Sequence, residues 1–241
     1  MDTEKEYLRN ESFIAYWEKK HNDPNYRHEE LSSIVQRYLL RLINETNGYL
    51  LDHGCGGGRA SLEIAENEKK LALCDLSSVS IKKTLELLGR HHVSNRVLWS
   101  HVGPIETWIG QKGWGGVCSH RVLHAIPRSV RLITVKSLVS GLKKSGKILL
   151  TAKSLNCRRF TLLKGDSEFE QIEGDGQTFL RKNPFRYIHY FAYDELYEIL
   201  MDSGLKVLAY EEFDERTGNL ERSEATAYNR YWLFYAEKVI S

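Results

Sequence analysis

The stretch Leu50-Leu51-Asp52-His53-Gly54-Cys55-Gly56-Gly57-Gly58 decides the fold. A short apolar run ends in an acid and enters a glycine cluster, and a helical pattern from about Arg59 to Asn67 follows at once. An apolar run of this length, closed by glycines, reads as a buried strand. Strand, glycine turn and helix together form the corner of an α/β sheet where ligands bind, beyond the carboxyl ends of the strands. Glycine suits that corner because it has no Cβ to hold the backbone away from a ligand, and because it adopts positive φ freely.

Two ligand classes compete for such a corner. A dinucleotide site has the spacing G-x-G-x-x-G, which would place its last glycine where this chain has Arg59. Gly54, Gly56 and Gly58 instead follow G-x-G-x-G. Asp52 separates the classes further: a carboxylate beside the loop repels a pyrophosphate but attracts a cationic amino group. Asp75 closes the next apolar run, Leu71-Ala72-Leu73-Cys74, about 20 residues on, where a carboxylate can accept hydrogen bonds from both hydroxyls of a ribose. An adenosyl ligand is favoured, and a nicotinamide-dependent oxidoreductase is disfavoured.

Outward from this corner, strand and helix patterns alternate. Ser77 is placed to cap a helix running to about Leu88. Third and fourth strands are expected at Arg96–Trp99 and from Gly115 to Ser119. A long helix after Pro127 carries Leu132, Val135, Leu138, Val139 and Leu142 on one face, stops at Ser145-Gly146, and gives way to a fifth strand at Lys147–Thr151. This rhythm predicts a mostly parallel sheet with helices on both faces. Upstream, Glu11 to Asn44 reads as helical. Downstream, the polar residues 152–190 break the rhythm, and a loop of that length suggests a lid. A helix from Asp194 to Asp202 is ended by Gly204, and strands at Leu205–Glu211 and Tyr231–Ala236 follow without an intervening helix, so the last strand is expected to pair antiparallel. The organisation expected is a Rossmann-like, seven-stranded α/β fold in one domain: a helical cover (1–47), a cofactor-binding core (48–152), a lid-like insertion (153–191) and a C-terminal helix and strands (192–241).

Composition sets the outer bounds. The chain has 241 residues, 41% of them hydrophobic and 27% charged, with a net charge of +2, which asks for neither a nucleic-acid backbone nor a bilayer. The charged start MDTEKEYLRNE has no apolar stretch of the kind a secretory signal needs. Cys55, Cys74, Cys118 and Cys157 form no CxxC pair, so no metal site is expected, and reduced core thiols point to the cytoplasm.

The corner and its second acid resemble motifs of the class I methyltransferases that use S-adenosylmethionine. The resemblance covers about Tyr49 to Ala152. It includes Trp114-Gly115-Gly116-Val117-Cys118-Ser119-His120-Arg121-Val122-Leu123-His124-Ala125-Ile126-Pro127 as a fourth-strand motif, and Leu142-Lys143-Lys144-Ser145-Gly146-Lys147 as the turn before the fifth strand. It implies that Asp52, Gly54, Cys55, Gly56 and Gly58 meet the cofactor's amino-acid end. Asp75 would take the ribose and Leu76 would lie near the adenine. His120, with Arg121, would line the methionine end. Two departures stand out. Gly115 replaces an acid that the family usually has. After the third strand the family has an acid and a small residue where this chain has His101 and Val102; these are expected at the adenine.

Acceptor candidates lie later in the chain. Phe185-Arg186-Tyr187-Ile188-His189-Tyr190-Phe191 resembles a segment of small-molecule and some transfer-RNA methyltransferases. His189 is then a candidate base, with Arg186, Tyr187 and Tyr190 as substrate contacts; the alternation equally fits a half-buried strand with a packing histidine. His124 matches the family and is a second catalytic candidate, although a histidine there also packs or caps. Tyr16-Trp17 and Tyr26-Arg27 resemble positions that cover the cofactor's carboxylate, while Phe13, Tyr16 and Trp17 equally make a plain apolar helix face.

The acceptor expected is a small molecule, methylated on oxygen or nitrogen by in-line displacement. A wobble-uridine type transfer-RNA methyltransferase is the alternative. It rests on that aromatic segment, on the resembling end Asn229-Arg230-Tyr231-Trp232-Leu233-Phe234-Tyr235-Ala236-Glu237-Lys238, and on Arg158, Arg159, Arg181, Lys182 and Arg186 as phosphate contacts. Against it, Asp166, Glu168, Glu170, Glu173 and Asp175 make the same stretch nearly neutral. A non-catalytic partner protein of this fold is a third reading, disfavoured because the glycines and both acids are kept.

Overall fold

In the computed structural model, which describes residues 11–23, 30–108, 110, 112–172, 174, 176–182, 185–215 and 229–239, β1 (Leu50–His53) is buried along its whole length. It lies parallel between β2 (Leu71–Asp75) and β4 (Trp114–His120). Successive side chains of a strand face opposite ways. Leu50 therefore joins a core under α2 (Ser33–Glu45) and α3 (Arg59–Glu66), while Leu51 joins the core on the other face, with α5 (Arg128–Gly141) and α7 (Tyr193–Asp202). This is why the strand reads as continuously apolar rather than alternating.

With β3 (Val97–Val102), β5 (Leu142–Lys153), β9 (Leu205–Asp214) and β10 (Arg230–Lys238), the sheet runs β3-β2-β1-β4-β5-β10-β9. All neighbours are parallel except β10, which pairs antiparallel with both β5 and β9. The expected seven-stranded topology is present. The sheet order turns back at β1, with β2 on one side and β4 on the other, and that switch point is where such sheets bind ligands.

Three boundaries differ from the sequence reading. The N-terminal helical stretch is two helices, α1 (Glu11–Asn22) and α2. The long helix stops at Gly141, and β5 begins at Leu142; Leu142 pairs with Trp114 and Lys147 with Gly116, so residues 143–146, including Ser145 at φ 56°, form a bulge inside the strand. The lid-like stretch is folded: α6 (Arg158–Leu163) precedes a second, antiparallel sheet of β6 (Phe169–Ile172), β7 (Thr178–Lys182) and β8 (Phe185–His189). Cys157, Leu163, Phe179, Ile188 and Tyr190 give this sheet its own small core. Its apolar residues are sparse in sequence, which is why the segment reads as a loop.

Helix α4 (Ser78–Arg90) is capped as expected, Ser77 Oγ accepting from Ser80 N–H at 3.1 Å. A second device was not foreseen: the Glu18 carboxylate of α1 accepts from Ser78 N–H at 2.7 Å and from Val79 N–H at 3.2 Å. A carboxylate at a helix N-terminus is favoured by the helix dipole, so Glu18 fixes α1 across the mouth of the sheet. The departure at Gly115 also has a physical cause. A Cβ there would stand 2.1 Å from the carbonyl oxygen of Asn47, so the turn entering β1 leaves no room for the acid that the family usually has. No described helix is long and apolar enough to cross a membrane.

Candidate functional site

A cavity of about 1220 Å³, counting its open mouth, lies at the carboxyl ends of β1, β2 and β4, with α1 across it. Its wall is drawn from α1, the glycine turn, the end of β2, residues 103–106 and residues 120–126.

One end of the cavity is acidic. Asp75 accepts from Gly56 N–H and from Ser77 N–H, both at 2.9 Å, which ties the second strand's acid to the glycine turn. Desolvation pushes its carboxyl up to about 6, against the pull of those two donors. Asp52 is 2% exposed and accepts from Ser61 Oγ at 2.5 Å. Burial, with Asp75 nearby, pushes Asp52 up to about 6 as well. The turn between these acids cannot carry side chains everywhere: a Cβ on Gly54, at φ 71°, would lie 2.3 Å from Val122 Cγ2. Gly54, Cys55, Gly56 and Leu76 all line the cavity.

Three of the expected cofactor positions lie outside its wall. Gly58 starts α3, and its missing Cβ would meet the Thr84 backbone of α4 at 3.0 Å, so it serves helix packing. His101 turns to Thr107, Nε2 lying 3.1 Å from Oγ1, and Val102 is half exposed. The wall at this level is instead Gly103, Pro104, Ile105 and Glu106. Glu106, held by the Thr134 hydroxyl, supplies an acid one turn later than sequence alignment by motif places it. The Gly103-Pro104 turn after β3 was the available signal.

The other end is basic and rich in histidine. His120 lines the cavity and its Nδ1 lies 2.7 Å from Thr151 Oγ1. Arg121 follows at φ 66°, a left-handed conformation that is uncommon outside glycine. Its backbone N–H donates to Thr151 O at 3.1 Å, and its guanidinium pairs with Glu215 at 2.7 Å. His124 sits in the short 3-10 turn Leu123–Ala125 and is 8% exposed; its ring meets Tyr231 edge-on, and Nδ1 has no hydrogen-bond partner. Burial, and then Lys153, Arg121 and Arg186, hold His124 well below the usual histidine range, so it is neutral at pH 7. Lys20 of α1 lines the same region, its Nζ 4.6 Å from the Trp17 ring centroid, and is pulled down to about 7 by burial and then by Arg186, Arg121, Lys153 and Arg159.

His53, unassigned in the sequence reading, also lines the cavity. Its Nδ1 lies 3.0 Å from Ser119 Oγ, and burial pulls it down to about 4. The signal was its place between Asp52 and Gly54.

The β8 candidates are held elsewhere. His189 is fully buried, with Nδ1 2.7 Å from Thr178 Oγ1 and Nε2 2.9 Å from Glu195 Oε2, and it does not line the cavity. Both ring nitrogens are occupied, which corrects the expectation of a base here. Tyr187 is 3% exposed and its hydroxyl accepts from Arg131 Nη2 at 2.9 Å; Tyr190 packs against Phe160 and Phe179. Neither ring is open for stacking. Arg186 contributes its charge to the Lys20 and His124 region without lining the cavity. Trp17 lines the cavity as the cover reading expects; Tyr16 packs edge-on against it. Tyr26, Arg27, Glu173 and Asp175 lie outside the described residues. Among the described residues, no group of histidine, cysteine or acidic side chains could hold a metal ion.

A methyltransferase-domain family matches residues 25–210. No curated protein sequence is significantly similar to this one. Among solved structures, the chain is similar to a Burkholderia thailandensis 1,6-didemethyltoxoflavin-N1-methyltransferase, crystallised with 1,6-didemethyltoxoflavin and S-adenosylhomocysteine. The identity is 15%, the TM-score 0.67, and the match covers 98% of this chain and 91% of that one. The N-methyltransferase NodS of Bradyrhizobium japonicum, in complex with S-adenosylhomocysteine, matches at 13% identity and a TM-score of 0.66 over 95% of this chain and 100% of that one. The [4+2]-cyclase SpnF matches at 15% identity and a TM-score of 0.61 over 99% and 97%. At these identities the likeness is one of fold.

Proposed function

The chain belongs to the methyltransferase-domain family, and from that premise we propose that this S-adenosylmethionine-dependent enzyme methylates an oxygen or nitrogen of a small-molecule acceptor, with His124 taking the proton. The observation that carries the reading is that Asp52, Asp75, the Gly54–Gly56 turn and His124 all line one cavity.

The residues present fit the cofactor. Asp75 already holds two backbone N–H groups at the end of β2, where a ribose edge would lie. Asp52, buried beside the turn, suits a cationic amino group. When bound, S-adenosylmethionine supplies a methyl group on a positively charged sulfur, which leaves with the bonding electrons. The chain's own contribution is alignment and exclusion of water: α1 covers the cavity, pinned by Glu18, and the 120–126 wall faces the glycine turn. His124, a neutral histidine in the same wall, would take the proton that the acceptor's oxygen or nitrogen loses.

The cavity's cover by α1 supports a small acceptor over a transfer RNA. The buried Tyr187 and Tyr190 and the Arg181–Glu168 pair at 2.5 Å weaken the aromatic and basic features that suggested nucleic acid. Four buried cysteine thiols, none in a disulfide, support a cytoplasmic setting. SpnF warns that the fold can carry other chemistry. The test is calorimetric titration of S-adenosylhomocysteine into the wild type and Asp75→Ala, followed by methyl transfer from labelled cofactor with His124→Asn. One-to-one binding that Asp75→Ala weakens by about a hundredfold is expected, with a fall in turnover and little change in cofactor affinity for His124→Asn. An absence of binding to folded wild type would sink the reading.

A further inference from the structure

Two of the histidines in the cavity wall are held by the same device. His53 closes β1 and His120 closes β4, and both line the cavity. Opposite each, in the neighbouring strand, stands a hydroxyl residue: Ser119 is the register partner of His53, and Thr151 that of His120. Ser119 Oγ lies 3.0 Å from His53 Nδ1, and Thr151 Oγ1 lies 2.7 Å from His120 Nδ1. Both hydroxyl residues are fully buried. Neither histidine is charged at pH 7: burial pulls His53 down to about 4, and burial and then Arg121 hold His120 well below the usual histidine range.

A neutral imidazole carries one N–H and one bare nitrogen, and a hydroxyl has one hydrogen to give. Thr151 Oγ1 already accepts from Arg121 N–H at 3.1 Å, and His120 Nδ1 is the acceptor at hand for its own hydrogen. Ser119 Oγ stands in the same relation to His53 Nδ1. With Nδ1 as the donor instead, a buried hydroxyl hydrogen would go unused, which is unfavourable. The proton of each ring is therefore assigned to Nε2. Each Nε2–H is the polar edge that a ring in the cavity wall offers to the cavity. Neither is among the sealed atoms left without a hydrogen bond, as His124 Nδ1 is. The wall thus holds two uncharged N–H donors, in rings that cannot turn without breaking the bond to their hydroxyl.

We propose that His53 and His120 are specificity-determining donors, and that the methyl acceptor presents uncharged lone pairs to them, on carbonyl oxygens or aromatic ring nitrogens. This rests on the methyltransferase reading and narrows its substrate class. The cofactor's ammonium group and ribose hydroxyls are themselves donors. Asp52 and Asp75 in the same wall are the acceptors suited to them, and an N–H group can serve neither. A fixed donor also rejects a molecule of the same shape that lacks the lone pair, because the N–H is then covered without a partner. Trp17, Ile105 and Ile126 suit the apolar body of such an acceptor.

The test uses the full chain, isotope-labelled at its histidine nitrogens and saturated with S-adenosylhomocysteine at neutral pH. Long-range proton–nitrogen spectra should show both rings neutral, with the proton on Nε2. Acetophenone or pyridine should then bind saturably and shift the Nε2–H signals. Each should bind at least about tenfold more tightly than α-methylstyrene or benzene, which keep the shape without the lone pair. The double variant His53→Phe with His120→Phe should erase that advantage, while affinity for S-adenosylhomocysteine changes by less than about threefold. A proton on Nδ1 in either ring, no advantage over the shape-matched probes, or no saturable binding of acetophenone and pyridine overturns the proposal and leaves the methyltransferase reading standing. So does a loss in the double variant that falls equally on S-adenosylhomocysteine, because the donors then serve the cofactor. Failure of S-adenosylhomocysteine to bind the wild type, seen before any probe is added, overturns both. If the double variant does not fold, the tautomers and the probe pairs on the wild type still decide.

Discussion

The two ends of the cavity are built in opposite ways. The acidic end is assembled from neighbours in sequence: a strand, its glycine turn and the acid closing the next strand, joined by Asp75 accepting from Gly56. The basic end draws on distant pieces, with Lys20 on α1 and Arg121 after β4 in its wall and the charges of Lys153 on β5 and Arg186 on β8 behind it. The first is acidic and fixed by backbone hydrogen bonds. The second is basic and fixed by packing, most visibly through Arg131 of α5. That side chain is fully buried, donates to Ile126 O at 3.1 Å and to Tyr187 OH at 2.9 Å, and meets Glu195 at 3.3 Å. A local motif can be kept while everything around it varies; an end built from four segments varies with any of them. The difference teaches that one fold can hold one cofactor and still change its acceptor.

The largest effect that would break this contrast is expected from Asp75→Ala. Removing a carboxylate that accepts charge-assisted bonds should weaken S-adenosylhomocysteine by about a hundredfold, measured by calorimetry. A loss confined to the acceptor probes would invert the assignment of the two ends. The next largest is pH. Asp52 and Asp75 sit near 6 before the cofactor binds, so below pH 6 binding must expel a proton and affinity should fall by about tenfold per pH unit for each carboxylate that must ionise. Burial pulls His53 down to about 4 and holds His120 well below the usual histidine range, so acetophenone binding should stay level from pH 5 to 8. Cofactor affinity that falls with pH beside a level response to the probe, in separate titrations, would sharpen the contrast; parallel slopes would dissolve it.

A smaller effect separates stability from binding. Folding raises the Asp52 carboxyl from its ordinary range to about 6. Its ionisation therefore opposes folding once the pH is above 6, and that opposition disappears as the pH falls through 6 toward 4. At pH 8, Asp52→Asn should raise the melting temperature of the ligand-free protein by about 2–4 °C while lowering cofactor affinity. The smallest effect is expected from Tyr187→Phe, which strips one bond from buried Arg131 and should cost about 1–2 kcal/mol of stability, seen by denaturant unfolding, with cofactor affinity unchanged. A loss of acceptor binding alone would return Tyr187 to the substrate site.

The same contrast explains what could be read from the sequence. The motif from Leu50 to Gly58 and Asp75 were legible because their chemistry depends on spacing within one β-α-β unit. The seven strands were legible because apolar runs and glycine turns are local. His189 was not: its partners Thr178 and Glu195 lie on β7 and α7, and no local pattern announces that both ring nitrogens are taken. Lys20 was passed over because a lysine on a charged helix looks solvated until β8 packs against that helix. Residues 152–190 read as a loop because their small core draws on few, scattered apolar side chains. His101 and Val102 were set by counting along a motif, and the Gly103-Pro104 turn shifts the wall past them.

Cys55 gives the floor of the cavity a built-in clock. Its thiol is buried, lies 3.6 Å from Thr84 Oγ1, and is pushed well above the usual range by burial and the two nearby acids. A protonated, covered thiol resists alkylation. Labelling of Cys55 therefore counts the excursions in which the floor is exposed, and the slowing of that count by bound cofactor would measure how tightly occupancy closes the glycine turn.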